Sequence, residues 1–560
     1  MRHNPDDKTK ISILVLGGLE EVGKNMILYE YRDFILIIDC GLKFAKADQP
    51  GVDYIVNDFS YLIENQHRIS GMVITHAHLD HIGALHLFLN KVNVPIWATP
   101  FTRAMVEKSL ADKCPNLRYK IKDVKKGKSF PVGPFTIDPI HVNHSIPDAI
   151  ALAIQTPAGT IIHTGDFKID ASAQYEPVTD LTALKRYGSK GVLCLVSDST
   201  NAINPGHSLS ESDVSANLEQ VLLEAEGRVI LATFASQIHR IQKLLEIASR
   251  TGRKVFMTGR SMLENTEAAI GVRQFRTYEN TILVESDLRR IQKNKILILA
   301  TGSQGEQTAG LSGIASGRHK VIKLEKEDTI LFSSSTIPGN ETSVNTLINK
   351  LMKEGVKVVT NKDIKIHTTG HGYQEELKTM LKVTRPKFFI PFHGETVHLM
   401  KHRDLALEAG INKFNIFLIE NGQRVEVGSK GLRLLEKIKI NPCFVENDRD
   451  NGINEEVVED RVSLGRNGLV IYNVRGSEKG IQETEIVTKG FVHRGIREDL
   501  FEKSKKSLVR FLEENAIEIF KDRKKVEQQA KKELKRFFEG STGKTPSIYV
   551  FLNFQVAQPR

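Results

Sequence analysis

The stretch Thr75-His76-Ala77-His78-Leu79-Asp80-His81-Ile82-Gly83 constrains this chain more than any other. It follows the apolar run Met72-Val-Ile and leads into a helical pattern, so three imidazoles and a carboxylate stand where a strand ends and a helix starts. Two apart in extended chain, His76 and His78 point to the same side and can share one metal ion. Asp80 and His81, further round the turn, can reach a second. Imidazole nitrogen with carboxylate oxygen suits Zn2+ first, with Mn2+ or Mg2+ as alternatives; an oxygen-only set would have pointed to Mg2+ or Ca2+. The pattern proposes two divalent ions and a fold that gathers strand ends along one edge.

The rest of the chain supplies such ends. Ile11-Ser-Ile-Leu-Val-Leu, Phe34-Ile-Leu-Ile-Ile-Asp, Met72-Val-Ile-Thr, Thr160-Ile-Ile-His-Thr and Gly191-Val-Leu-Cys-Leu-Val read as buried strands. They run into Asp39, Thr75-His76, Gly165-Asp166 and Ser197-Asp198. Each ion needs further ligands. His144 is the candidate for the first, His393 in Pro391-Phe-His-Gly-Glu for the second, and Asp166 for a carboxylate shared by both.

At 560 residues, and about 150 residues per domain, the chain should hold roughly three or four units. From 208 to 367 strands alternate with helices, the mark of a parallel α/β unit, with a helix expected over Ser236 to Arg250. Residues 368–430 return to the texture of 1–207, so the α/β unit reads as an insertion. A polar stretch, 431–462, reads as a linker, and 463–560 as a separate module with two helices over Glu498 to Glu539 and a final strand from Ser547.

Hydrophobic residues (40%) and charged residues (26%) are in globular proportion, which excludes global disorder. No apolar run approaches the ~20 residues of a membrane span, and the first ten residues lack the apolar core of a secretory leader, giving a cytoplasmic expectation and no membrane partner. The four cysteines form no C-x-x-C pair and read as packing residues. The net charge is +10, and residues 461–560 hold 21 basic against 13 acidic residues. That excess suits either a polyanion partner or a basic solvated surface.

The ordered set Asp39, His76-x-His78-x-Asp80-His81, His144 and Asp166 resembles the metallo-β-lactamase superfamily. Asp198 in Val196-Ser-Asp-Ser-Thr, His371 in His367-Thr-Thr-Gly-His-Gly and His393 in Phe392-His-Gly-Glu look like the added motifs of its β-CASP nuclease branch. Gly17-Gly-Leu-Glu-Glu-Val-Gly-Lys-Asn-Met and the separate C-terminal module bring the likeness, over essentially the whole chain, to the bacterial ribonuclease J family. The resemblance implies an αββα sandwich, an inserted α/β β-CASP domain and an α+β C-terminal domain for dimerisation and RNA contact. It implies a two-metal ribonuclease of RNA maturation and decay. Such an enzyme degrades single-stranded RNA 5′ to 3′ from 5′-monophosphate ends, with additional endonuclease action, as a homodimer or homotetramer that can join a paralogous subunit or other RNA-decay proteins. In that scheme His371 protonates the leaving oxygen with Asp198 tuning it, Asp80 serves catalysis as well as metal, and Asp39 orients a ligand histidine. Ser333, His367, Thr369, Gly370 and His371 are the expected 5′-phosphate and RNA contacts. Two alternatives stay open: a non-catalytic RNA-binding subunit, and a hydrolase of the same fold acting on DNA or a small ester. The intact ligand set speaks against the first and the inserted domain against a small substrate.

Overall fold

The computed structural model describes residues 9–555 except 47, 279, 280, 338 and 494. They divide into two units, one holding residues up to Phe44 with Tyr54–Asp450, the other Ala45–Asp53 with the chain from Asn451.

Two sheets form the heart of the first unit. One runs in the order Gly431–Lys437, Gln423–Gly428, Lys10–Gly17, Met26–Tyr31, Phe34–Ile38, Ile69–Val73, Ile96–Ala98, Ile121–Asp123. The other runs Pro386–Phe392, Val192–Asp198, Gly159–His163, Ile150–Thr156, Phe135–His141, Phe130–Val132. The unbroken apolar runs follow from burial on both faces, since alternate side chains go to opposite sides of a strand. From the first strand, Ile11, Ile13 and Val15 enter the space between the sheets, meeting Ile137, Leu152, Cys194 and Ile390. Leu14 and Leu16 turn outward to pack with Phe59, Phe88 and Phe101. On the far side of the second sheet, Ala151, Ile162, Leu195 and Phe389 pack against Leu184, Leu377 and Leu405 of the helices Leu181–Lys190, Gln374–Thr384 and Thr396–Glu408. This is the helix–sheet–sheet–helix sandwich that the resemblance implied.

The insertion is an all-parallel sheet ordered Lys254–Thr258, Ile296–Ala300, Val229–Ala232, Thr329–Phe332, Lys357–Thr360. The helix expected over Ser236 to Arg250 spans Ile238–Thr251. Arg228 opens the central strand by gripping Asp328 with both carboxylate oxygens, at 2.8 and 2.7 Å, in a pair shielded from water. Arg228→Ala would strand that buried carboxylate. It is expected to destabilise the chain by about 3–5 kcal/mol, read from urea denaturation, whereas Arg228→Ala/Asp328→Ala should recover much of the loss.

The polar stretch read as a linker is largely regular. Gly431–Lys437 pairs antiparallel with Gln423–Gly428 as the edge of the first sheet, Cys443–Glu446 pairs with Tyr54–Val56, and Glu455–Asn467 is a helix capped by the Asn454 side chain. An edge strand with most side chains in solvent has the composition of a loop, which is why the sequence pattern misreads it.

In the second unit, the central strand Leu469–Ser477 pairs antiparallel with Gly480–Lys489 and parallel with Ser547–Gln555. Three helices, not two, lie between: Glu498–Glu514, Ala516–Lys521 and Arg523–Thr542. The breaks fall at Asn515 and at Asp522, whose side chain accepts from Lys525 N–H to start the last helix. Tyr472, Val474, Ile548 and Leu552 on one sheet face pack with Phe501, Leu508, Leu534 and Phe538. All four cysteines are free, and Cys40 and Cys194 are buried. Among the described residues no helix is long and apolar enough to cross a membrane.

Candidate metal centre

Six strands deliver the site from their C-terminal ends. Asp39 follows Phe34–Ile38, His76 follows Ile69–Val73, His144 follows Phe135–His141, Asp166 follows Gly159–His163, Asp198 closes Val192–Asp198 and His393 follows Pro386–Phe392. His78 precedes the one-turn helix Leu79–Ile82, which holds Asp80 and His81, and His371 lies in the loop before Gln374–Thr384. Asp39 (φ 62°) and His393 (φ 50°) sit in the left-handed region that non-glycine residues avoid, a local cost that aims their side chains off the strand axis.

The structure brings together every residue expected to ligate. His76, His78, His144 and Asp166 present ligand atoms within 4.8 Å of one another, and so do Asp80, His81, Asp166 and His393. Asp166 belongs to both quartets, with Oδ2 3.6 Å from His76 Nε2, 3.8 Å from His144 Nε2 and 3.2 Å from His81 Nε2. The tautomers are set from behind. His144 Nδ1 donates to the Gly370 carbonyl at 2.7 Å, His81 Nδ1 to Asp39 at 2.8 Å and His393 Nδ1 to Asp166 Oδ1 at 2.8 Å, so Nε2 of each ring is the nitrogen turned to the centre. Asp39 is itself fixed by Thr75, whose N–H and hydroxyl both donate to it at 2.8 Å.

Charge distribution fits cations. Burial, reinforced by neighbouring imidazoles, holds His76 and His144 well below the ordinary histidine range, and burial brings His78 down to about 4, leaving three neutral imidazoles ready to coordinate. In the other quartet burial is overcome by Asp166 and Asp80, which raise His81 and lift His393 to about 10. The carboxylates there demand positive charge, and a divalent ion would meet that demand while displacing protons. The sharpest sign of fit is His76 Nε2, a buried nitrogen with no hydrogen-bond partner, aimed at Asp166. The donor set and its geometry fit a divalent metal ion.

His371 stands beside both quartets. Its Nδ1 donates to Asp198 Oδ2 at 2.7 Å and its Nε2 lies 3.8 Å from Asp166 Oδ2. Burial alone would lower it, but Asp198 and Asp166 hold it above the ordinary range. Thr200 N–H and hydroxyl donate to Asp198 Oδ1, fixing that carboxylate.

The expected phosphate contacts are placed unevenly. Thr369 Oγ1 accepts from Asn201 and from His371 N–H, and Gly370 lies against His144 so closely that a Cβ would sit 2.6 Å from its ring. Ser333 is fully buried with its hydroxyl donating to the Ile366 carbonyl, and buried His367 is held at 2.7 Å by Arg240.

Two positions escaped the sequence reading. Asn25 Nδ2 lies 3.0 Å from His81 Nε2, 3.2 Å from His393 Nε2 and 3.3 Å from Asp80 Oδ2, inside the second quartet. Its only local signal is its place at the end of the glycine-rich stretch from Gly17. Gly41 touches the Asp80 carbonyl so closely that a Cβ would fall 1.6 Å from the oxygen. Gly41→Ala is expected to push Asp80 away and lower bound metal by about half or more, read by elemental analysis beside an unchanged circular dichroism spectrum.

Family models match as beta-lactamase superfamily domain over 36–185, ribonuclease J beta-CASP domain over 226–351, Zn-dependent metallo-hydrolase RNA specificity domain over 355–417 and ribonuclease J C-terminal domain over 456–553. A ribonuclease J of Corynebacterium glutamicum is 38% identical over 546 residues, covering 96% of this chain and 75% of that protein. One from Thermus thermophilus is 35% identical over 547 residues, covering 96% and 94%. A crystal structure of a protein of unknown function from Enterococcus faecalis shares the fold at TM-score 0.53 and 16% identity, over 75% of this chain and all of that one. On domain order and sequence alike, the chain belongs to the ribonuclease J family.

Proposed function

We propose that this chain is a cytoplasmic two-metal ribonuclease that hydrolyses single-stranded RNA 5′ to 3′ from 5′-monophosphate ends and also cuts internally, in RNA maturation and decay. The observation that carries the reading is the meeting of two ligand quartets and the His371–Asp198 pair at one carboxylate, Asp166. His76, His78, His144 and Asp166 would hold one ion and Asp80, His81, Asp166 and His393 the other, with Zn2+ favoured by the nitrogen-rich donors. Two divalent ions supply acidification of the attacking water and neutralisation of charge on the phosphodiester.

The chain's own groups do the rest. Asp39 fixes the His81 ring, Asp198 holds the His371 proton on Nδ1 and raises its basicity, and Nε2 of His371 carries the proton for the departing 3′-oxygen. Thr369 and Gly370 adjoin His371 and His144 and are proposed, with His367 and Ser333, to shape the 5′-phosphate site. We place the working form as a homodimer or homotetramer able to associate with other RNA-decay proteins.

The test compares 5′-monophosphorylated RNA, 5′-triphosphorylated RNA and DNA of one sequence, with and without chelator. Mononucleotide release fastest from the first, and abolished by chelator, is expected. Equal hydrolysis of DNA, or none of RNA with metal present, would overturn the reading.

A further inference from the structure

One face of the second unit's sheet is packed on helices; the other is open. On it stand Tyr549 and Phe551, each 49% exposed although large and aromatic. Their rings lie nearly parallel, at 16°, with centroids 6.5 Å apart. Beside them across the parallel pairing come Ile471, Asn473 and Arg475, and Asn553 donates to Asn473 at 2.7 Å. Exposed aromatics of this kind are ordinarily buried in a core or in a complex. Neither ring enters the unit's core, which lies on the opposite face.

We infer that this face is a stacking platform for single-stranded RNA, in which Tyr549 and Phe551 receive unpaired bases. The inference rests on the ribonuclease reading for its ligand and goes beyond it in placing a contact away from the metal centre. Three features select RNA over a second copy of the chain. Parallel rings standing in solvent offer π-faces that any base can occupy, and each such contact needs an unstacked base. The amides of Asn473 and Asn553 border Phe551 with donors and acceptors, and with the Arg475–Glu483 pair beyond them they bound the apolar strip that runs from Tyr549 through Ile471 to Val487. The strand Ser547–Gln555 runs against the helix Arg523–Thr542, which holds seven basic and three acidic residues, and Lys531 Nζ of that helix lies 5.5 Å from the Tyr549 ring centroid. Ser547–Gln555 is the edge of its sheet, so Lys531 reaches round to the ring and can meet a phosphate beside a stacked base.

The test uses the full chain in chelator, so that binding is read without cleavage, and a fluorescein-labelled 20-nucleotide oligouridylate. Tyr549→Ala and Phe551→Ala should each weaken binding roughly fivefold or more, and together about 25-fold or more. Tyr549→Phe and Phe551→Tyr should bind like the parent. Thermal unfolding should be unchanged, since both side chains point away from the core. Duplex RNA of the same length should bind parent and double variant alike, and cleavage of a 5′-monophosphorylated tetranucleotide with metal restored should proceed at parental rate.

Parental affinity of the double variant for the oligouridylate would overturn the inference. So would parental RNA affinity joined to a smaller oligomer in sedimentation, which would assign the face to a second copy, or an equal loss toward duplex RNA, which would remove base stacking. A parent chain that binds the oligouridylate but cleaves no RNA with metal present would sink the ribonuclease reading and leave the platform standing.

Discussion

Asp166→Asn is expected to lower RNA hydrolysis by about a thousandfold and to empty both ion positions at once. The magnitude follows from losing several kcal/mol of charge stabilisation in the transition state, at about 1.4 kcal/mol for each factor of ten. The double effect follows from position: Asp166 is common to the two quartets, so its loss weakens each. His76→Ala differs in kind, because His76 reaches only the first quartet. Metal analysis should find both ions lost from the Asp166 variant and the second ion retained in the His76 variant, with RNA binding near parental in both. Full metal occupancy in Asp166→Asn would contradict a shared carboxylate.

His371→Ala should cut the rate about 10²–10⁴-fold, the usual contribution of a positioned proton donor, with metal content intact. The separation of rate from metal is the informative part, since His371 spends Nδ1 on Asp198 and keeps Nε2 toward the space beside Asp166. Asp198→Asn should produce a smaller loss, because it removes the charge that holds the His371 proton while leaving the ring in place. If His371→Ala lost metal in proportion to rate, the residue would be a ligand and not a proton donor. If the variant kept parental rate, the proton would come from solvent.

What could be read along the chain followed the range over which each signal acts. His76 to His81 are legible because their spacing is local and unusual. Asp39, Asp166 and Asp198 stand out because each ends an apolar run, and parallel strands bring such ends to one edge. Asn25 is not legible, since its partners lie 55, 56 and 368 residues away and an asparagine after a glycine-rich loop has many uses. Gly41 is hidden for a related reason: nothing in sequence announces that the Asp80 carbonyl will press against it. The edge strand Gly431–Lys437 reads as linker because solvent-facing strands share loop composition, and the helical run after Glu498 hides two breaks that only Asn515 and Asp522 mark.

The order in which strands join has a bearing on biosynthesis. Pro386–Phe392 completes one sheet beside Val192–Asp198, and Gln423–Gly428 joins the other beside Lys10–Gly17, each more than 190 residues after its neighbour. A nascent chain leaving the ribosome N-terminus first therefore carries His76 and Asp166 long before His393. The second ligand quartet therefore stays incomplete until the last third of the chain is being made.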